Sequence, residues 1–344
     1  MNINPSINHL LKFACPSIQY RIRKELFLHS TELPEMKALQ NQISQDDAVK
    51  EVQSWQQPDG WLAWSFHGYK SMESGIRLLC EKGIESDNSV LSRALSALEC
   101  AGDRLERGIG RVGKILDDLG FGGSETIRAY LFAHAGQEKI PEVQNQIIQA
   151  LDVFNSIRAL GSMEAIYEIY KDKAIFRPGV RWPSIYHLRL LAFTFSWRNP
   201  ENQRLITDCI QHMLRLSPIP NIHVWYKSQL IAPASFCMDN FTPDIHSLTD
   251  SQWMQWFHRM ELFGRLGLTD RISELNEQVQ ALDALMQPSQ GLFIKKLFHP
   301  YFKKWGSYTG LMLEKDWRLP LRRINDLTFR SLLILSETHC SGDK

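Results

Sequence analysis

Three stretches gather ionisable and aromatic side chains more densely than core packing requires. In Trp61–Arg77 (WLAWSFHGYKSMESGIR), His67 and Glu73 stand on either side of Gly68. An imidazole close to a carboxylate suits general acid or base work. The simpler alternative has His67 capping a turn and Glu73 pairing with Arg77, four residues on. In Arg177–Arg189 (RPGVRWPSIYHLR), two prolines and a glycine impose an irregular entry into an apolar helix. Such an entry can present Arg181, Trp182, Tyr186 and His187 to a cavity mouth. Arginine there would take a phosphate or carboxylate bidentately, and tryptophan an apolar or cationic group. Packing of Trp182 and Tyr186 between helices is the alternative. In Trp305–Arg330, the residues Glu314, Asp316, Arg318, Arg322, Arg323 and Asp326 are expected to form an ion-pair network. That network would close the last helices onto the first, each pair contributing little if exposed.

Cys237, Asp239 and His246 bring three zinc-ligand types into one short stretch. Isolated Cys and His side chains acting structurally are the expected reading there, so no metal is expected and zinc is the alternative. His339 and Cys340 fall in a polar tail from about residue 337 and are not expected to form a site. Gly108–Gly113 matches G-x-G-x-x-G in letters, but no strand precedes it, so a flexible turn is expected instead. G-x-S-x-G and H-E-x-x-H do not occur. No cofactor is expected.

These residues must be positioned by helices. Ile272, Leu275, Val279, Leu282 and Met286 recur at helical spacing after Asp270, and Val143, Ile147, Ile148, Leu151, Phe154 and Ile157 do so after Pro141. Leu91, Ala94, Leu95 and Leu98 form a third stripe behind Asp87, Asn88 and Ser89, all good caps. Alternating strand-like runs are nearly absent, so the chain reads as all-α. Helices pair into hairpins, and two echo each other as M-E-x-x-x-R-L, at Met72–Leu78 and Met260–Leu266. Each then meets a glycine and an aliphatic residue, Gly83-Ile84 and Gly267-Leu268, the pattern of a left-handed helix stop. Pro16-Ser17-Ile18 and Pro183-Ser184-Ile185 form a second echo. Repeated αα-hairpins suggest a solenoid or a closed ring. The turn-rich stretches Gly161–Val180 and Pro233–Thr249 read as long connections within one domain, 1–344.

Of 344 residues, 44% are apolar, which excludes a disordered chain. Lys+Arg 39 against Asp+Glu 38 leaves a charge of +1. That balance gives no broad electrostatic reason to expect nucleic acid or an anionic membrane, though it leaves room for a local basic patch. Apolar runs such as Leu190–Phe195 fall far short of the roughly 20 residues a bilayer span needs, so no transmembrane segment is expected. The start, Met1–Pro5, lacks the charged and apolar parts of a signal peptide. Six scattered cysteines without a CxxC pair fit reduced thiols and a cytoplasmic protein.

Lys50–Trp64 (KEVQSWQQPDGWLAW) resembles the Gln/Trp repeat of the terpenoid cyclase and protein prenyltransferase superfamily, through Gln56, Gly60 and Trp61. Trp61 comes one residue earlier than in that pattern. Asp117–Gly123 (DDLGFGG) is similar to a worn second copy. The resemblance implies a single (α/α) toroid of about 11–13 helices around an aromatic-lined cavity. It also implies Trp55 and Trp61 as staples of the helical turns, and a cyclase- or transferase-like enzyme taking a hydrophobic small molecule such as an isoprenoid. The superfamily's D-x-D-D and D-D-x-x-D motifs are missing, and Cys237–Asp239–His246 reverses its zinc order. Acid chemistry would then come from His67, Glu73, His187 or Asp239, and substrate contacts from Trp64, Arg181, Trp182, Tyr186 and Trp305. Trp253 and Trp256 are expected to pack between hairpins. The rival expectations are a toroid that binds a ligand or protein without catalysis, and an open helical-repeat scaffold.

Overall fold

The computed structural model describes residues 4–337 other than Asp239. The polar tail with His339 and Cys340 lies outside the described residues. The chain packs as two compact units, Met1–Cys100 with Pro243–Lys344, and Ala101–Thr242.

In chain order the first unit holds α1 (Asn4–Phe13), α2 (Pro16–Arg21) running into a π turn at Ile22–Leu26, α3 (Pro34–Ile43), α4 (Asp47–Ser54), α5 (Met72–Lys82) and α6 (Ser89–Glu99). The second unit holds α7 (Val112–Asp118), α8 (Ser124–His134), α9 (Pro141–Ile157), α10 (Met163–Ile166), α11 (Ile185–Ala192) and α12 (Pro200–Leu216). The chain then returns to the first unit with α13 (Asp250–Arg265), α14 (Ser273–Met286) and α15 (Pro320–Glu337). That makes fifteen α-helices among the described residues, several of them short pieces such as α2, α7 and α10.

The helical expectations hold at the level of faces. Leu91, Ala94, Leu95 and Leu98 are buried on α6, which Asn88 caps by accepting the Val90 N–H at 3.0 Å. Ile272, Leu275, Val279, Leu282 and Met286 are all buried. On α9, however, Ile148 lies on the solvent side, because the helix turns Val143, Gln146, Ile147, Ala150, Val153, Phe154 and Ile157 inward instead. Both predicted stops form. Gly83 and Gly267 adopt φ of 88° and 68°, and the next amides, Ile84 and Leu268, donate back to Leu79 and Phe263 at 2.9 and 3.0 Å. Those are the long bonds of a Schellman closure.

The all-α expectation needs correction in the second unit. Its β1 (Tyr167–Tyr170), β2 (Lys173–Phe176), β3 (Ile222–Tyr226) and β4 (Gln229–Ile231) form a sheet in the order β1-β2-β3-β4. The outer pairs are antiparallel and the β2–β3 pair is parallel. Strands of three to five residues are too short for alternation to register. Their two-residue turns, Lys171-Asp172 and Lys227-Ser228, also take positive φ without the Asn-Gly signal that normally announces such a hairpin.

Each unit places buried helices under amphipathic ones. In the first, α5 is buried over ten of its eleven residues, and α15 is buried from Asn325 to Leu335. In the second, α8 and α11 pack together with α9 and α12 outside them. Two turns of the resemblance are built tightly. Gly60 has φ of 92°, and a Cβ there would lie 2.4 Å from the Arg93 carbonyl oxygen. A Cβ on Gly123 would lie 1.8 Å from that of Gly113. Neither position admits a side chain without backbone movement.

Candidate acid–base site

The loop before α5 is folded by its own backbone. Met72 and Glu73 donate their N–H groups to Ser65 and Phe66 at 2.9 and 3.0 Å. Gly68 takes φ of 107° to reverse the chain, and the Ser71 hydroxyl donates to its carbonyl at 2.8 Å. Ser71 and Ser74 then close a capping box on α5. This compact turn aims His67 back at the first turn of the helix it precedes.

His67 Nδ1 lies 2.8 Å from Glu73 Oε2, with Glu73 wholly buried and the His67 side chain 18% exposed. Ser307 completes the cluster. It accepts the Gly68 N–H at 3.0 Å and donates to Glu73 Oε2 at 2.7 Å, and its oxygen lies 3.2 Å from His67 Nδ1. A carboxylate at Nδ1 fixes the ring orientation and places the proton there, so Nε2 on the opposite edge is the proton-exchanging atom. Serine and carboxylate share one nitrogen, which differs from a nucleophilic triad, where they occupy opposite edges of the ring. Ser307 therefore orients Glu73 and does not act as a nucleophile activated by His67.

One helical turn on, Arg77 holds the loop that carries Ser307. Its Nη2 donates to the Gly310 carbonyl at 2.9 Å and its Nη1 to those of Gly306 and Ser307. The guanidinium lies 5.2 Å from the Trp305 ring centre. Five fixed donors and a planar face let one arginine grip carbonyls and an indole together.

The two loops that form the cluster also contribute to a cleft of about 590 Å³, whose lining does not include His67, Glu73 or Ser307 themselves. Tyr69, two residues after His67, and Trp305, two before Ser307, both line it. Trp55, Val52, Leu78 and Met312 add apolar wall. Asp46, Asp47, Glu51, Glu314 and Asp316 face it alongside Lys82, Lys303, Lys304, Lys315 and Arg318. Several of these charges are paired. Lys82 donates to Asp46 Oδ2 at 2.9 Å and to the Leu313 carbonyl, and Lys315 meets Asp47 at 2.6 Å. Among the residues expected in a cavity, Trp305 thus lines this cleft from a buried position, whereas Trp64 is exposed on the surface.

The other candidates belong to the second unit. His187 is buried in the capping box of α11, its Nδ1 accepting the Ser184 N–H at 3.1 Å. Burial pushes its pKa down to about 4, so the ring stays neutral. Tyr186 is buried, with the Arg189 guanidinium 5.2 Å from its ring centre. Trp182 is buried against Phe176 and Phe236. Arg181 pairs with Asp152 and lines a cleft of about 490 Å³ with Phe121, Ile175 and Trp225. Cys237 is buried with its sulfur 3.8 Å from that of Met213, and His246 is exposed on a short 3-10 turn of the first unit. Asp239 lies outside the described residues. Among the described residues no group of three His, Cys, Asp or Glu side chains is arranged to hold a metal ion.

The closing segment is less of an ion-pair network than expected. Among the described residues that set holds one ion pair, Arg322 with Asp316 at 2.7 Å. Asp326 instead accepts the Trp317 indole N–H and the Leu313 N–H, each at 2.7 Å. Glu314 accepts the Cys15 N–H at 3.0 Å, tying the closing loop to the start of α2. Trp253 is buried against Trp256 and Phe257 of its own helix and Phe293 of a later loop, and the Trp256 indole donates to Gln278 of α14 at 2.8 Å.

Sequence reasoning missed Ser307, since a lone serine between a glycine and a tyrosine carries no signal. It also missed Arg21, Glu81 and Arg330, buried charges inside otherwise apolar helical faces. That mismatch was visible, but it does not reveal the partners. No helix among the described residues is long and apolar enough to cross a membrane. Comparison with protein-family models, curated proteins and solved structures finds no match for this chain.

Proposed function

We propose that the first unit carries an acid–base site, in which His67 exchanges a proton with a small molecule bound in the adjoining cleft. Glu73 orients the imidazole, and Ser307 holds Glu73. The observation that carries this is the 2.8 Å contact between His67 Nδ1 and a wholly buried Glu73 carboxylate. A buried carboxylate stabilises the imidazolium formed when Nε2 accepts a proton.

An imidazolium is too weak an acid to protonate an isolated carbon–carbon double bond. The chemistry that suits this pair is proton transfer at a heteroatom or at a carbon beside a carbonyl. The substrate is a small molecule with an apolar body against Trp55, Tyr69 and Trp305 and a polar end among the cleft's lysines. This keeps the hydrophobic-substrate expectation but moves it from alkene cyclisation to milder chemistry. On the resemblance we place the hairpins in an (α/α) toroid. Support comes from Gln56, which donates to the Val90 carbonyl at 2.8 Å beside a fully buried Trp61.

The test is incubation of the purified chain with an extract of apolar and amphiphilic small molecules, read by mass spectrometry. The wild type should bind and convert a component. His67→Ala should abolish conversion, and Glu73→Gln should lower the rate while leaving binding. A ligand bound but unchanged, and indifferent to His67→Ala, would sink the enzyme. That result would favour the second reading, a binding module, which the paired charges lining the cleft already favour.

A further inference from the structure

The chain's near-neutral charge hides one uneven segment. No Asp or Glu occurs between Asp283 and Glu314, whereas Lys295, Lys296, Lys303 and Lys304 do. Residues 293–299 are neither helix nor strand, and the part from Phe293 to Lys304 sorts its large apolar side chains into buried and exposed ones. Phe293, Leu297 and Phe302 are buried, while Ile294, Phe298 and Tyr301 are 54%, 61% and 44% exposed. Lys296, Lys303 and Lys304 are exposed with them.

The segment is held rigidly. The Phe293 N–H donates to Thr328 at 2.9 Å, the Phe298 N–H to Asp250 at 2.7 Å, and the Tyr301 carbonyl accepts the Gly310 N–H at 2.8 Å. Asp250 is thus engaged with the strap's backbone, while Lys303 and Lys304 also face the cleft that Asp46, Asp47, Glu51, Glu314 and Asp316 line. The patch continues to a neighbouring loop, where Lys304 Nζ lies 4.9 Å from the ring centre of the exposed Tyr69.

We infer that this strap is a docking surface for the headgroup region of an anionic phospholipid bilayer. Large apolar side chains fixed outward cost free energy in water and gain it at the acyl boundary. Lysines beside them complement anionic headgroups, and their long stems reach past a shallowly inserted ring. A soluble polyanion would be met by the lysines but would leave Ile294 and Phe298 uncompensated, so the apolar residues decide for a lipid surface. The inference shares Tyr69, Lys303 and Lys304 with the cleft of the His67–Glu73 proposal but does not require proton transfer there.

Flotation of the full chain with phosphatidylcholine vesicles, with and without about one-third phosphatidylserine, tests it. The wild type should bind the anionic vesicles and be released by salt. Lys296→Glu with Lys303→Glu should weaken binding at least about 30-fold, about fivefold for each lysine removed and more for each glutamate added. Ile294→Ser with Phe298→Ser should weaken it at least about tenfold. Phe195→Ser, at an exposed phenylalanine of the other unit, should change nothing and controls for general apolar adhesion. Folding of every variant is checked by circular dichroism. Absence of vesicle binding overturns the inference. So does binding that survives Ile294→Ser with Phe298→Ser and is matched by heparin, which would mark a plain polyanion surface.

Discussion

Glu81 and Arg330 meet at 2.9 Å, with 11% and 1% of their side chains exposed. The contact belongs to a closed ring of alternating charge. Arg330 also meets Glu261 at 2.9 Å, Glu261 meets Arg265 at 3.3 Å, Arg265 meets Glu25 at 2.7 Å, and Arg21 joins Glu25 back to Glu81. Three guanidinium groups and three carboxylates thus cancel inside the first unit, tying α2 and its π turn to α5, α13 and α15. A ring of this kind resists the removal of any one member, because the partner left behind is a buried uncompensated charge.

Arg330→Met and Glu261→Gln should therefore each cost about 3–5 kcal/mol in urea unfolding. Glu32→Gln, which breaks an exposed pair with Lys37, should stay within about 0.5 kcal/mol. A loss below about 1 kcal/mol for Arg330→Met would show that the ring relaxes around the gap.

Two units should respond to pH in opposite directions. Burial pushes the Asp326 carboxyl up to about 7, so the folded chain keeps a proton that the unfolded chain has released above about 4. Its contribution to stability therefore falls as pH rises from about 4 to about 7. His187, lowered to about 4 by burial, does the reverse, because acidification below its ordinary value of 6.5 charges only the unfolded ring. Thermal melts across this range should lose the Asp326 component in Asp326→Asn and keep the His187 rise. An unchanged profile in that variant would refute the assignment.

At lower pH a further loss is expected from the ring. Burial alone would raise Glu25, but the guanidinium groups of Arg21 and Arg265 hold it down at about 2. Its stabilisation is present above about 4.5 and disappears as pH falls towards 2. Glu25→Gln should remove that acid limb and lower stability at neutral pH.

The Asp117–Gly123 turn should be intolerant for two separable reasons. Asp117 accepts the Gly123 and Glu125 N–H groups and the Thr126 hydroxyl at 2.6, 2.8 and 2.8 Å. Asp117→Ala should cost about 2 kcal/mol by leaving those donors unmet. Gly123→Ala should cost about 1–3 kcal/mol or more through its clash with Gly113, and Gly113→Ala should not rescue it. Chemical denaturation of the single and double variants distinguishes a lost cap from steric strain.

Gln56→Ala should remove the tie to Val90 and cost about 1 kcal/mol, while Trp61→Ala should cost about 3–5 kcal/mol through the cavity it leaves. The two should be non-additive if they act as one staple, as a double-mutant cycle would reveal.

Much was legible before any coordinates, and the divide follows interaction range. The apolar stripes of α6, α9 and α14 and the glycine stops at Gly83 and Gly267 follow from spacing, because helix period and left-handed backbone are local properties. His67 and Glu73 were suspected because a glycine turn six residues long can fold one onto the other. The short sheet escaped because its turns use lysine, aspartate and serine where glycine usually serves. Only the tertiary structure brought Ser307 onto Glu73 and gave the two M-E-x-x-x-R-L helices different work. In α13 the Glu261–Arg265 pair joins the buried ring. In α5 Glu73 and Arg77 reach the 305–310 loop, and Glu81 takes the place in the ring. The same seven-residue pattern thus carries two roles, since a buried charge is committed by whichever partner folding carries to it across hundreds of residues.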